Sequence, residues 1–255
     1  MKILVSNDDG ISSEGIRVLA ESLSEIGDVL VVAPQTEQSA VGHAITMQIP
    51  VRVNKYYRDG KFFGYSVTGT PADCIKMGIK NIMKEKPDIV VSGINNGSNS
   101  AINIIYSGTV SAAREAAIMD VPSIAISVAS HEVDDYSYAG KFAQQIVKMV
   151  ADKDLRPGTL LNVNVPNMPE KEILGVRLTK QGHSKWDDVF EERIDPYGRK
   201  YYWLTGELIY NDKAMDRDHF AVMNKYVSVT PIHFDLTDYE MFNKMKSWNI
   251  EEKLG

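Results

Sequence analysis

The first part of the chain alternates short apolar runs with segments of helical periodicity. Residues 2–6 form a short apolar run, apolar residues then recur at helix-face spacing over residues 15–26, and a second apolar run covers residues 28–33. A strand, a helix and a strand within about 30 residues are typical of a βαβ unit. The pattern therefore predicts parallel strands with helices between them.

The same alternation continues as far as residue 166. Residues 51–67 alternate apolar and polar positions on both sides of an Asp-Gly pair, which predicts a β-hairpin. Thr70 is followed by Pro71 and, three positions on, by Asp73, which predicts a capped helix N-terminus. We predict further helices over residues 71–85, 109–119 and 138–152, and further strands over residues 88–92, 121–129 and 158–165. These strands are almost uninterrupted apolar runs, as expected where helices cover both faces of a sheet.

The pattern changes in the last third of the chain. Residues 174–210 are predicted to be β-hairpin material, and a strand at residues 226–238 and a short helix follow. The hairpin is rich in aromatic residues, namely Trp186, Phe190, Tyr197, Tyr201, Tyr202 and Trp203. These aromatic side chains pack either on the chain's own core or on another subunit, and both alternatives stay open. We predict an α/β fold with a three-layer, Rossmann-like, mostly parallel sheet in one domain, residues 1–255, with a β-rich extension at about 174–230.

Composition and charge exclude several classes of protein. The 255 residues carry a net charge of −6 and no cluster of Lys and Arg, so a stable nucleic-acid partner is not expected, although a small phosphorylated molecule remains open. No apolar segment reaches the roughly 18 to 20 residues that span a bilayer, so no membrane partner is expected either. Cys74 is the only cysteine, which excludes an intrachain disulfide and predicts a cytoplasmic protein without a thiolate zinc site.

Two adjacent carboxylates, Asp8 and Asp9, follow the first predicted strand directly. In open parallel sheets, ligands bind beyond the carboxyl ends of the strands. Two such charges repel by about 4 kcal/mol at about 4 Å with an effective dielectric constant near 20. A divalent cation such as Mg²⁺, Ca²⁺ or Mn²⁺ would remove the conflict. The alternative is that one carboxylate caps the following helix while the other faces solvent.

Three familiar phosphate-binding motifs do not fit this segment. Gly10 and Gly15 frame the first part of a P-loop, but Ile16-Arg17 replaces the Lys-Ser/Thr pair that holds phosphate and metal. A G-x-G-x-x-G dinucleotide fingerprint is also missing. A HAD-type phosphatase needs Asp-x-Asp, whereas the two acids here have no spacer.

Further polar loops are expected at the same edge of the sheet. The segment after the second strand carries Gln38, Ser39 and His43, and we place His43 among the candidate substrate contacts. The segment from 92 to 109 is rich in small amides and hydroxyls, namely Ser92, Asn95, Asn96, Ser98, Asn99, Ser107 and Thr109. Such side chains suit a hard cation or phosphate oxygens, although each segment alone is equally typical of a turn.

The Ser107-Gly108-Thr109 segment lies at the predicted start of a helix. Free N–H groups and the positive end of the helix dipole make such a start an anion site, although a routine Ser N-cap is the alternative interpretation. A cation held by acids beside an anion site indicates metal-assisted hydrolysis of a phosphate ester. Either a metal-activated water or one of the two acids would then attack, and the sequence leaves both routes open.

Seven segments spread over nearly the whole chain carry a distinctive combination of motifs. They are ILVSNDDGISSEGI, VVAPQTEQSA, VTGTPADC, VVSGINNGSN, YSGTVSAAREA, NVNVP and YVSVTPIHFDLT. Together and in this order, they resemble the SurE family of survival proteins, which are 5′/3′-nucleotidases. The resemblance implies a phosphohydrolase for nucleoside 5′-monophosphates, and for 3′-monophosphates as a further expectation.

The resemblance also implies a ligand set and an assembly. One divalent ion per subunit, Mg²⁺ or Mn²⁺, is expected on Asp8, Asp9, Ser39 and Asn95. The implied phosphate contacts are Asn95, Ser107, Gly108 and Thr109, to which we add Asn96. Asp8, Asp9 and Asn95 are the expected catalytic residues. Family members form homodimers or homotetramers through a β-hairpin and the C-terminal region, which suits the aromatic extension.

Two functions from other classes remain as alternatives. A regulatory protein would bind a nucleotide without turnover. A glycosyltransferase would need a nucleotide-sugar site, for which no motif is present. Release of inorganic phosphate from nucleoside monophosphates separates the three.

Overall fold

The computed structural model describes residues 1–153 and 155–255. Within them, the strands are β1 (Lys2–Ser6), β2 (Asp28–Pro34), β3 (Val53–Arg58), β4 (Lys61–Val67), β5 (Ile89–Asn96), β6 (Ser123–Val128), β7 (Thr159–Val165), β8 (Gly175–Leu178), β9 (Ser184–Ile194), β10 (Lys200–Tyr210) and β11 (Tyr226–His233). The α-helices are α1 (Glu14–Ser24), α2 (Pro71–Met77), α3 (Asn103–Tyr106), α4 (Gly108–Ile118), α5 (Ser137–Asp152), α6 (Asp218–Met223), α7 (Tyr239–Met245) and α8 (Ile250–Leu254).

A large, mostly parallel sheet forms the centre of the molecule. Its strand order is β3-β4-β2-β1-β5-β6-β7-β11-β8. The strands from β4 to β7 are parallel to one another, whereas β3 is antiparallel to β4 and β11 is antiparallel to β7. The predicted α/β fold with a mostly parallel sheet is therefore confirmed.

Helices cover both faces of this sheet, because successive strand residues point to opposite sides. In β1, Ile3 and Val5 belong to a core that α1 and α5 cover, whereas Leu4 belongs to a core that α2 and α4 cover. In α1, the apolar residues at helical spacing are the buried ones, so the periodicity that predicts the helix also decides which face it buries. The result is the expected three-layer arrangement.

Several elements differ from the sequence predictions, among them the unpredicted helix α6. The helix predicted for residues 71–85 is α2 up to Met77 and continues as a π-helical turn, Gly78–Ile82. The helical segment ends there because Met83 is extended, with φ −76° and ψ 136°, so it stops three residues before the predicted end. Strand β5 does not stop before Gly93 but contains a register shift there and runs on to Asn96. The short helix α3 is not predicted, because four residues are too few for a periodic pattern.

The last third of the chain divides between two sheets. Strands β8 and β11 join the edge of the main sheet, while β9 and β10 pair with each other in a separate antiparallel ribbon. Most side chains of this ribbon are exposed, including Phe190 and Trp203. In the part of the chain described here, no helix has the length and apolar character needed to cross a bilayer.

Candidate functional site

The strand order creates a crevice at the carboxyl ends of β1 and β5. The chain passes from β1 to β2 on one side and later returns to pair β5 with the other side of β1. Ligands of doubly wound sheets bind at such a reversal. Asp8 and Asp9 lie just beyond the end of β1, after Asn7, and Asn95 and Asn96 end β5. Four of the predicted site residues therefore lie at the point where this fold class places its ligands.

Asp8 is a buried carboxylate held by two neighbouring segments. Thr109 Oγ1 donates a hydrogen bond of 2.6 Å to Asp8 Oδ1, and the Gln38 N–H donates one of 2.8 Å to the main-chain oxygen of Asp8. A Cβ atom on Gly108 would lie only 2.7 Å from the Cβ of Asp8. The start of helix α4 therefore lies directly against this carboxylate.

The surroundings of the two carboxylates in the crevice disfavour their charged forms. Burial raises the pKa of Asp8, although hydrogen bonds from Thr109 partly oppose the shift. Burial and the charge of Asp8 raise the pKa of Asp9 to about 7, and Glu37 adds to the shift in both groups. Neither carboxylate owes any of its shift to a cationic side chain among the described residues. A bound divalent cation would stabilise both charged forms.

The donor set of this crevice fits such a cation. Asn95 uses its Nδ2 to donate to Gly97 O at 2.7 Å, while its side-chain oxygen receives no hydrogen bond from the described residues. No group of three or more His, Cys, Asp and Glu side chains with metal-binding proximity occurs in residues 1–153 and 155–255. Two carboxylates and a neutral amide oxygen suit Mg²⁺ or Mn²⁺ better than zinc.

Ser39 and Asn96 lie at the margin of the crevice. Ser39 follows Gln38, which is bonded to Asp8, and its side chain is exposed. Asn96 is also exposed; its Oδ1 accepts a hydrogen bond from the Tyr136 hydroxyl, and its N–H helps to lower the pKa of Asp9 against the effect of burial. Their roles as metal and phosphate ligands stay predictions.

The first turn of helix α4 offers main-chain rather than side-chain donors. Ser107 is the N-cap, and its Oγ accepts a hydrogen bond from the Val110 N–H at 3.1 Å. The hydroxyl of Thr109 is buried and already bonded to Asp8. The first N–H groups of a helix have no partner inside it and carry partial positive charge. Because the Thr109 N–H also bonds the Asp8 carboxylate, the capacity of this segment to bind an anion lies mainly in the backbone N–H of Gly108.

A buried asparagine network supports the site, and the sequence patterns do not identify it. Asn99 Nδ2 donates to Ser127 Oγ at 2.9 Å and to Thr109 Oγ1 at 3.3 Å, and thereby reaches the partner of Asp8. Asn162 and Asn164 of β7 fix the main chain of Asn99 through bonds of 2.7 and 2.8 Å. The sequence does place two amides at alternate positions of an otherwise apolar strand. Because buried amides need hydrogen-bond partners, this pattern could have indicated the network.

His43, a candidate substrate contact, has a different partner in the structure. Its Nε2 lies 2.8 Å from Oε2 of Glu115, a buried residue of helix α4. Lys76 Nζ of α2 lies 2.5 Å from the other oxygen of the same carboxylate. Burial by itself would raise the pKa of Glu115, but the hydrogen bonds from His43 and Lys76 lower it below its usual range. The prediction that His43 contacts substrate stays a prediction.

A cavity of about 380 Å³ opens at the same edge of the sheet, beyond β2 and β4. Its lining consists mostly of neutral amide and hydroxyl residues, namely Gln35, Thr36, Gln38, Thr46, Val67, Thr68, Gly69 and Thr70. Gln38 links this cavity to the crevice, because its N–H is bonded to Asp8.

Fold and crevice together define a doubly wound α/β protein with paired carboxylates against a helix N-terminus. The family model for survival protein SurE matches residues 3–188. The chain is 50% identical to 5′-nucleotidase SurE of Syntrophobacter fumaroxidans over 250 residues, which is 98% of this chain and 100% of that protein. It is 48% identical to 5′-nucleotidase SurE of Alkaliphilus metalliredigens, over 99% of this chain and 100% of that protein.

A solved structure supports the same assignment. The crystal structure of the SurE protein from Aquifex aeolicus superposes with a TM-score of 0.84 at 41% sequence identity, covering 97% of this chain and 99% of that one. The chain belongs to the SurE family, and the resemblance found in its motifs is confirmed.

Proposed function

We propose that this chain is a divalent-metal-dependent phosphohydrolase that removes phosphate from nucleoside 5′-monophosphates. The names of its relatives support nucleotide phosphohydrolase activity. The observation that carries the proposal is the contact between Asp8 and the start of helix α4 at the sheet reversal. A cation bound by Asp8 and an anion bound by the helix start would be neighbours, as hydrolysis of a phosphate ester requires.

In this proposal, one Mg²⁺ or Mn²⁺ ion per subunit is held by Asp8, Asp9, Ser39 and Asn95. Asp8 is kept in place by Thr109, and the free oxygen of Asn95 completes the buried part of the donor set. Ser39 would join from the loop that follows β2. When bound, the ion would polarise the phosphoryl group and lower the pKa of a coordinated water.

The remaining residues of the crevice would bind the phosphate. The backbone N–H of Gly108, with Thr109 beside it, would direct partial positive charge toward the phosphoryl oxygens, where negative charge would grow during the reaction. Ser107 fixes the helix start by capping it. Asn96, which is exposed at the end of β5, would donate from its side-chain amide to the substrate.

The proposal includes the assembly and the location of the chain. The exposed aromatic side chains of the β9–β10 ribbon support a homodimer or homotetramer. The single cysteine, Cys74, is free and buried, which suits the reducing cytoplasm. Nucleoside monophosphates are the substrate partner.

A phosphate-release assay tests the proposed activity. Inorganic phosphate would be measured from a panel of nucleoside 5′- and 3′-monophosphates with Mg²⁺ or Mn²⁺, and with EDTA. We expect release from 5′-monophosphates that EDTA abolishes and added metal restores. Asp8→Asn should lose nearly all activity while the circular dichroism spectrum is kept, because one charge of the cation site is gone.

Asp59→Asn is the matched control, since it makes the same chemical change in an exposed hairpin turn that tolerates Asn. Nucleotide binding without phosphate release would show instead a regulatory protein. Full activity of Asp8→Asn, or activity that EDTA does not touch, would reject the metal site.

A further inference from the structure

The residues 35–52 connect β2 with β3 without any helix or strand, and are called here the 35–52 loop. This loop carries Ser39 and forms part of the 380 Å³ cavity through Gln35, Thr36, Gln38 and Thr46. Ser39 is exposed, whereas Asp8 and Asn95 are buried, the first just after β1 and the second on β5. The geometry of a cation site that includes Ser39 therefore depends on where this loop is held.

Several main-chain hydrogen bonds hold the loop on the body of the protein. Near Ser39, the Gln38 N–H is bonded to Asp8 O at 2.8 Å, and the Gly42 N–H is bonded to Tyr106 O at 3.0 Å. At its far side, the Thr46 N–H donates to the carboxylate of Asp73 at 3.1 Å. Together with the bond from Thr70 Oγ1 to Ala44 O at 2.7 Å, these contacts engage the main chain of the loop. Among the described residues, one charged anchor engages a side chain of the loop.

That charged anchor is the contact between His43 and Glu115. Glu115 belongs to α4, the helix that starts at the candidate phosphate site, and its neighbours on the buried face are mostly alanines. A buried carboxylate among apolar side chains persists only with strong partners. Its partners are His43 from the loop, at 2.8 Å, and Lys76 from α2, at 2.5 Å. One carboxylate thus ties the loop to both helices on this face of the sheet.

We propose that Glu115 and His43 are positioning residues that hold the 35–52 loop so that Ser39 completes the divalent-cation site. This inference rests on the proposed function, because it assigns a role within the same cation site. In this role His43 would act through the loop, and not as the substrate contact that the sequence predicts. Their effect is to reduce the freedom of the loop before the cation binds, which raises the affinity of the site.

The test measures cation affinity directly, with Mn²⁺ alone as the probe. Free Mn²⁺ would be followed by electron paramagnetic resonance in titrations of the full chain and of the variants His43→Ala, His43→Gln, Glu115→Gln and His183→Ala. His183→Ala is the matched control, because it removes an exposed histidine beside the β9–β10 ribbon. His43→Gln is the conservative variant, since its amide nitrogen reaches about as far as the imidazole Nε2 and can donate to Glu115.

We expect His43→Ala to raise the Kd for Mn²⁺ about tenfold. This is the lower end of the loss in metal affinity that follows removal of a residue supporting a metal ligand. His43→Gln should keep most of the Mn²⁺ affinity of the parent chain. Glu115→Gln should have an affinity between those of His43→Gln and His43→Ala, and His183→Ala should have the affinity of the parent chain. With phosphate release as a second readout, the Mn²⁺ concentration for half-maximal rate should rise in His43→Ala, while kcat at saturating Mn²⁺ is largely retained. Amide hydrogen exchange of residues 36–46 should become faster in the same variant.

Two results would overturn the positioning role. One is an unchanged Mn²⁺ affinity in His43→Ala. The other is a loss of kcat at saturating Mn²⁺ with unchanged affinity, which would make His43 a substrate contact instead. A parent chain that neither binds Mn²⁺ nor releases phosphate would reject the proposed function itself, so the two failures are distinguishable.

Discussion

Gly108 occupies a position at which any side chain would collide with the candidate cation site. A Cβ atom there would lie 2.7 Å from the Asp8 Cβ and 2.9 Å from its Oδ2. Real Cβ atoms do not approach other atoms so closely, because carbon atoms in contact prefer separations of about 3.5 to 4.0 Å and repel one another at shorter distances. The glycine therefore allows the helix N-terminus and the carboxylate to approach each other, and this closeness is the physical core of the proposed site.

Gly108→Ala should consequently reduce catalysis far more than it reduces stability. The added methyl group would push Asp8 or the first turn of α4 aside, and a misplacement of about 1 Å costs on the order of 100-fold in rate. The measurement is kcat/KM for a nucleoside 5′-monophosphate, together with the melting temperature. Gly60→Ala is the control, since Gly60 has a positive φ in an exposed turn with open space around it, so strain there should lower stability alone. Equal kcat/KM values for the two variants would contradict the argument.

The location of single site residues was predictable from the sequence where the residues lie next to a recognisable strand or helix. Asp8 and Asn95 follow apolar runs, and the ends of parallel strands converge, so their common location was predictable before their contacts were known. The pair of His43 and Glu115 was not, because the two residues are 72 positions apart and meet only through tertiary packing. The same holds for Asn99 and Asn164, which are separated by 65 positions.

Among the elements, helix α2 follows from its sequence most directly. Thr70 Oγ1 accepts a hydrogen bond from the Asp73 N–H, and the Asp73 carboxylate accepts one from the Thr70 N–H, so the predicted capping box is confirmed. The structure adds a contact that the motif does not contain, because Thr70 Oγ1 also donates to Ala44 O in the 35–52 loop at 2.7 Å. One hydroxyl therefore starts a helix and fastens a loop.

Thr70→Ala should destabilise the protein through both bonds. Loss of a Thr N-cap costs about 1 kcal/mol, and a second lost hydrogen bond adds about 1 kcal/mol. For a chain of this size, each kcal/mol corresponds to roughly 2 to 4 °C in melting temperature. Thermal unfolding followed by circular dichroism measures the shift, and Thr70→Ser, which keeps the hydroxyl, serves as the control. Identical melting temperatures for the two variants would show that the hydroxyl is not the stabilising group.

At the scale of the whole molecule, the β9–β10 ribbon is the feature that a single chain does not explain. A two-stranded ribbon is at best marginally stable alone in water. This one is paired over eleven residues per strand and exposes large apolar side chains on both faces, with Phe190 67% exposed, Leu204 60% and Trp203 57%. The alternation of apolar and polar residues predicts the ribbon itself. It does not predict which surface packs on the ribbon, because that surface lies outside the ribbon sequence. Of the two alternatives that the sequence left open, we favour packing against another subunit.

A charge placed on the ribbon should therefore weaken the assembly without disturbing the main sheet. Trp203→Glu would bury an unpaired carboxylate in the proposed contact, and an unpaired buried charge is strongly unfavourable. We expect the parent chain to elute with at least twice the mass of one chain in size-exclusion chromatography with light scattering, and Trp203→Glu to shift toward the monomer. Met149→Glu, the same kind of change at an exposed position of α5, should leave the mass unchanged. A monomeric parent chain, or a Trp203→Glu variant of unchanged mass, would rule out the ribbon as the subunit contact. The aromatic side chains of the ribbon would then face solvent.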